Sequence, residues 1–125
     1  MNNPWGLEEA RSIPGVPGHQ LVAVAAGHHT LAAGPVVIVT PTVGMNDTGA
    51  IRIVTPGVWP PEGGMSGTPV EEGGVVDQGG FYMHPWPLSE RYFLAAYAYG
   101  ASHNPPTGYG LYLICLLYTS PSPRD

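Results

Sequence analysis

Residues 19–26 read HQLVAVAA and residues 90–98 read ERYFLAAYA. Laid over each other they align Leu21 with Phe93, Val22 with Leu94 and Ala23 with Ala95, an offset of 72. Each is a short apolar run bounded by polar or turn-forming residues, and neither carries a 3.6-residue period long enough for three helical turns, so both read as strands. The next apolar run repeats as well: PVVIV from Pro35 lies over GLYLI from Gly110 at an offset of 75. Two consecutive strand pairs separated by nearly one distance indicate a single supersecondary unit used twice.

Outward from these pairs, the strands expected are Gln20 to Ala26, Pro35 to Thr40, Ala50 to Thr55, Tyr92 to Tyr99 and Tyr109 to Ile114, with a weaker one over Ala10 to Ile13. Ile13-Pro14-Gly15 leads into the first pair and Trp86-Pro87-Leu88-Ser89 into the second. In the first unit a third strand, AIRIVT, follows the turn formers Asn46-Asp47-Thr48-Gly49. Residues 57–80 hold GVWPPEGG and EEGGVVDQGG, too rich in Gly and Pro to continue a sheet, and are expected to form a long surface excursion. Units of three or four antiparallel strands that stack radially make a β-propeller. A sandwich with two similar halves would repeat in the same way.

The final run CLLYTSPSPRD, residues 115–125, resembles a sequencing-library adapter translated in frame and is set aside as a non-native tail. Residues 1–114 then hold a first blade (1–56), the excursion (57–80) and an incomplete second blade (81–114). Setting the tail aside also removes Cys115, the one cysteine, and with it any disulfide or thiolate zinc site. The chain has 4 basic against 9 acidic residues, a net charge of −5, and no basic patch for a nucleic-acid backbone. No apolar run approaches the ~18 residues needed to span a bilayer. With 18 Gly and 15 Pro but 43% hydrophobic residues gathered in blocks, short strands and long connections are favoured over disorder.

The segments ARSIPGVPGHQLVAVAAGHHTLAAGPVVIV, IRIVTPGVWPPEGG, FYMHPWPLSERYFLAAYAYG and YGLYLI together resemble the middle domain of the hydrazine synthase alpha subunit family. The most specific elements are the IPG turn, the GHH segment before the GPVVIV strand, and PWPLSERYFL. The resemblance implies an all-β fold, a fragment of a β-propeller with antiparallel blades, one complete and part of a second. It also implies a large exported, periplasmic bacterial parent whose flanking domains or subunits are the partners of this segment. Such a parent can carry haem c in those flanks. None is expected in the fragment, because no Cys-x-x-Cys-His occurs in residues 1–114. A domain resemblance speaks to fold more than to reaction.

His28 and His29 are candidate metal ligands, since imidazole is a common transition-metal ligand. On a strand they would point to opposite faces, and His19, His84 and His103 could add nitrogens only at spacings foreign to zinc sites. The plainer reading is a turn. In YMHPWPLSER, His84 is a third metal candidate, and Tyr82, His84, Trp86 and Arg91 are candidates for a binding surface in the connections at a blade's mouth. Against that, Trp86 and Leu88 would plug between blades while Ser89, Glu90 and Arg91 form a solvated turn with a Glu-Arg pair. Glu71, Glu72 and Asp77 fit no calcium loop and read as solvated, and Tyr92, Tyr97, Tyr99, Tyr109 and Tyr112 read as sheet-packing aromatics. The fragment itself is expected to be a scaffold. The alternatives are a wall of a multihaem enzyme's active site, and a sensor or carbohydrate-associated binding propeller.

Overall fold

A computed structural model describes residues 6–16, 19–27, 32–44, 47–61, 80–99 and 108–116. Seven strands form two antiparallel sheets, and the fold is all-β. The first sheet runs in the order β1 (Gly6–Ser12), β2 (Leu21–Ala26), β3 (Val36–Val39), β4 (Ile51–Ile53). The second runs β5 (Gly80–Pro87), β6 (Tyr92–Tyr99), β7 (Gly110–Cys115). Every pairing joins consecutive strands, as a blade of a propeller does.

The two sheets share one register. Leu21 pairs with Val39 and Val22 with Ile38 in the first sheet, and Phe93 with Ile114 and Leu94 with Leu113 in the second. These equivalences reproduce the offsets of 72 and 75 legible in the sequence. The outer pairings agree too: Gly6 opposes Ala26 and Ser12 opposes Leu21, as Phe81 opposes Ala98 and Pro87 opposes Phe93. The drop from 75 to 72 is located at one turn, closed by Ile13 N–H donating to Gln20 C=O in the first unit and by Leu88 N–H donating to Tyr92 C=O in the second.

β5 was not expected, because Pro85 and Pro87 argue against a strand. The structure accommodates them in two ways. β5 lies at the edge of its sheet, where a missing N–H costs no ladder bond. Pro85 also falls in a bulge, a register shift between Met83 and Trp86 with His84 at φ 50. β1 has the matching bulge between Glu8 and Arg11, with Glu9 at φ 57. This bulge also explains why β1 begins at Gly6, well before the expected Ala10: its alternation is broken in the middle and cannot be seen as one run. β7 ends one residue later than expected, at Cys115, and Leu116 N–H donates to Arg91 C=O. Asp47 accepts from Gly49 N–H at 2.7 Å, so the expected turn is capped into a 3-10 turn over Thr48–Ala50.

The core lies between the sheets. Val22, Val36 and Ile38 of the first sheet, with Ile13 and Val54, pack against Phe93 and Ala95 of the second. Burying Phe93, fully enclosed, contributes about 1.5–3 kcal/mol. Thr55 is the buried polar side chain beside this layer, and its hydroxyl accepts from Val36 N–H at 3.1 Å, a donor no strand reaches. A second contact sews the sheets edge to loop: Gly34 and Tyr82 exchange both backbone hydrogen bonds, at 3.0 and 2.9 Å. A Cβ on Gly34 would stand 2.1 Å from Ala25 C=O, so no other residue fits. Gly34→Ala is accordingly expected to cost about 1–3 kcal/mol and Phe93→Ala about 3–5 kcal/mol in denaturant unfolding. A loss below 0.5 kcal/mol for both, roughly the level of a surface substitution, would contradict this packing.

Candidate functional site

The densest cluster of polar and aromatic side chains sits where the two bulged strands meet. Glu9 and His84 occupy corresponding positions 75 residues apart, and their side chain and backbone join directly. His84 N–H donates to Glu9 Oε2 at 2.6 Å, and His84 Nδ1 pairs with Glu9 Oε1. The carboxylate therefore holds the ring through Nδ1 and leaves Nε2 outside this contact. The His84 side chain is 63% exposed and that of Glu9 23%. Two residues on, Arg11 and Trp86 are again equivalent positions, and the Arg11 guanidinium lies 4.5 Å from the centroid of the Trp86 ring. Left-handed backbone at Glu9 and His84, φ 57 and 50, carries a strain of about 1–3 kcal/mol each.

Of the candidate residues, His84 and Trp86 belong to this cluster, while Tyr82 lies earlier on the same strand, stacked on Tyr97; all three are on β5 and not in a connection at a blade's mouth. His84 sits within the strand bulge, placed there by the register shift that its proline neighbour permits. Trp86 is 53% and Leu88 50% exposed, so neither is plugged between the two sheets. Arg91 lies apart, in the β5–β6 turn where Ser89 Oγ accepts from the N–H groups of Arg91 and Tyr92. Its Nε stands 4.0 Å from Glu90 Oε1 with both side chains more than half exposed, the solvated pair expected. His28, His29, His103, Glu71, Glu72 and Asp77 lie outside the described residues.

Among the described residues no three His, Cys, Asp or Glu side chains gather as a metal site. The residues present do not fit a covalently held haem c: attachment takes two cysteines, the chain has one, and Cys115 is exposed at the end of an edge strand. Among the described residues His84 has no group of further His, Cys, Asp or Glu side chains beside it to complete a coordination shell. Glu9 and Arg11 were missed from sequence. The signal was present, because the offset of 75 that pairs Pro35 with Gly110 also pairs Glu9 with His84 and Arg11 with Trp86.

The tyrosines form a ladder across the second sheet. Tyr82 and Tyr97 stack at 4.5 Å between centroids, and Tyr97 meets Tyr112 edge-on at 5.5 Å. Burial, then the neighbouring Tyr97 and Tyr112 hydroxyls, hold the Tyr82 hydroxyl above the ordinary tyrosine range. Burial raises Tyr109 as well, and its hydroxyl has no hydrogen-bond partner among the described residues. The chain matches no known protein family, no curated protein and no solved structure. No helix among the described residues is long and apolar enough to cross a membrane.

Both tyrosines are neutral in the folded state beyond the pH at which they ionise unfolded. Their stabilising contribution is therefore complete below about pH 10 and is lost as pH rises through the folded values. Tyr82→Phe should flatten the alkaline fall in stability measured by denaturant midpoints; an unchanged slope above pH 10 would contradict the burial. For the bulge joint, Glu9→Asn and His84→Asn both keep a residue that tolerates left-handed backbone. A double-mutant cycle on this pair should give a coupling of about 0.5–1 kcal/mol, and a coupling of zero means the two sheets are not joined there.

Proposed function

We propose that this chain is a blade-type scaffold and interaction module of a large exported bacterial protein resembling the hydrazine synthase alpha subunit, with chemistry carried outside it. One observation supports this above the others. The special side chains of the cluster are spent on each other, Glu9 on His84 and Arg11 on Trp86, so that they fix one sheet against the next. A reactive site needs a group left free to meet a substrate and a pocket to hold it. Here the polar groups serve as joints, and the exposed aromatic and aliphatic side chains offer area for a neighbouring domain or subunit.

The reading is tested in the complete parent. Removing the segment equivalent to residues 6–116 should leave the flanking domains folded, each with its own melting transition, but abolish their association in gel filtration. Flanking domains that stay together without it would sink the scaffold role. A second reading, a wall of a haem site, is favoured by His84, whose ring is oriented through Nδ1 by a carboxylate and exposes Nε2. It requires a positive pyridine haemochrome from the parent, with a haem spectrum that shifts in His84→Asn.

A further inference from the structure

Among the described residues the sheets end in four edge strands, β1 and β4 of the first and β5 and β7 of the second. An edge strand presents unpaired N–H and C=O groups that template association, and stable proteins blunt it with charge, proline, a bulge or shortness. Three of these edges are blunted. β1 carries Glu8, Glu9 and Arg11 around its bulge. β4 is three residues long, with Arg52 at its centre. β5 has its own bulge together with Pro85 and Pro87. β7, GLYLIC from Gly110 to Cys115, has none of these devices: it bears no charge and no proline, and its register with β6 is unbroken.

The direction of its backbone groups follows from one hydrogen bond. In an antiparallel ladder the N–H and C=O of a residue point to the same side, and the side alternates along the strand. Leu116 N–H donates to Arg91 C=O at 2.7 Å, so Ile114, Tyr112 and Gly110 turn toward β6, while Leu111, Leu113 and Cys115 turn outward. Their equivalents in the first unit, at the offset of 75, are Val36, Ile38 and Thr40. Those are the residues that meet the β4 segment. Val54 N–H donates to Val36 C=O at 2.9 Å and Thr40 N–H to Ala50 C=O at 2.7 Å, with Ile38 opposite Arg52 between them. The same backbone positions are thus paired in one unit and border no described strand in the other. Exposure follows the difference: Val36 and Ile38 are buried, while Leu111 and Leu113 are 74% and 60% exposed.

GLYLIC is complementary to itself. Laid antiparallel on a second copy with Leu113 opposite Leu113, it sets Leu111 against Cys115 and Tyr112 against Ile114, so each outward-turned residue meets another. The cross-strand pairs are apolar, and none opposes like charges. We infer that β7 pairs with β7 of a second copy about a twofold axis at Leu113, joining two three-stranded sheets into one of six strands. Because this contact consumes the unblunted edge of each molecule, association closes at the dimer. It goes beyond the scaffold role and does not rest on it.

Sedimentation velocity on the full chain tests the pairing. Wild type should double its mass as concentration rises and grow no further, with slower amide exchange at Leu111, Leu113 and Cys115 in the dimer. Leu113→Lys and Leu113→Asp each place like charges face to face on the axis and should stay monomeric alone. An equal mixture of the two should recover a one-to-one dimer. Leu113→Pro removes an outward N–H and no bond to β6, so it should be monomeric as well; the Lys–Asp mixture decides if circular dichroism shows the proline variant unfolded. A monomeric wild type, a mass beyond the dimer, a charged variant that dimerises alone, a mixture that stays monomeric, or a folded Leu113→Pro that dimerises overturns the pairing. A monomeric wild type that takes up a synthetic peptide of residues 50–56, with slower exchange at Leu111 and Leu113, assigns the edge to a strand of another chain and overturns self-pairing.

Discussion

Everything in this molecule depends on a sheet needing cover on both faces. β2 is buried along Val22–Ala26, on both of its sides, and a strand in that position cannot exist in an isolated hairpin. Its Val22 side is closed by Phe93 and Ala95, and its other side holds Ala23 and Ala25 with Val37. The small alanines matter here. They keep that side of the strand thin, while on the Val22 side Phe93 fills the space among Val22, Val36 and Ile38. Once this contact is set, the rest is constrained: the loop after β4 brings Thr55 under β3, and Gly34 is forced against Ala25 with no room for a side chain.

The second constraint is the bulge. A bulge bends its strand and raises the local twist, and both edge strands carry one at the same place. The bulges fall at equivalent positions of the two units, and the packing of the sheets sets them side by side, so that Glu9 reaches His84. Glu9 and His84 are thus opposite in charge preference at one structural position, and Arg11 and Trp86 are complementary at another. Had the repeat kept identical residues, two glutamates or two arginines would face each other and repel. Divergence between the copies is what makes the joint attractive.

Much of this was legible in the sequence because apolar strings survive in register when loops change length. HQLVAVAA over ERYFLAAYA and PVVIV over GLYLI located β2, β3, β6 and β7 to within a residue at each end and fixed how they pair. β5 was not legible. Its prolines carry a sound local signal against a strand, and only the edge position and the bulge, both tertiary facts, override it. The cluster was half legible for the same reason: His84 and Trp86 stand out as unusual residues, whereas Glu9 and Arg11 look like ordinary surface charges until the fold sets them against their counterparts. The choice between propeller and sandwich was likewise undecidable from two copies. The structure adds two open antiparallel sheets of consecutive strands, as a propeller fragment has.

The second sheet's outward face also shows how the two units have separated in role. Between equivalent positions the side chains grow: Ala25 becomes Tyr97, Val37 becomes Tyr112, Val36 becomes Leu111, and the charged pair Glu8 and Arg11 becomes Met83 and Trp86. On the covered side the increase is explained, since the tyrosine ladder extends across the sheet and Tyr82 reaches into the layer beneath. On the other side Met83 packs against the cluster of Ala33, Val58, Phe81 and Ala98 and Trp86 stacks on Arg11, while Leu111 and Leu113 remain in water, unfavourable by about 25 cal/mol for each Å² they expose. The apolar surface that faces solvent on that side centres on Leu111 and Leu113, 74% and 60% exposed, and it is there that the second unit departs furthest from the first, whose Val36 and Ile38 are buried.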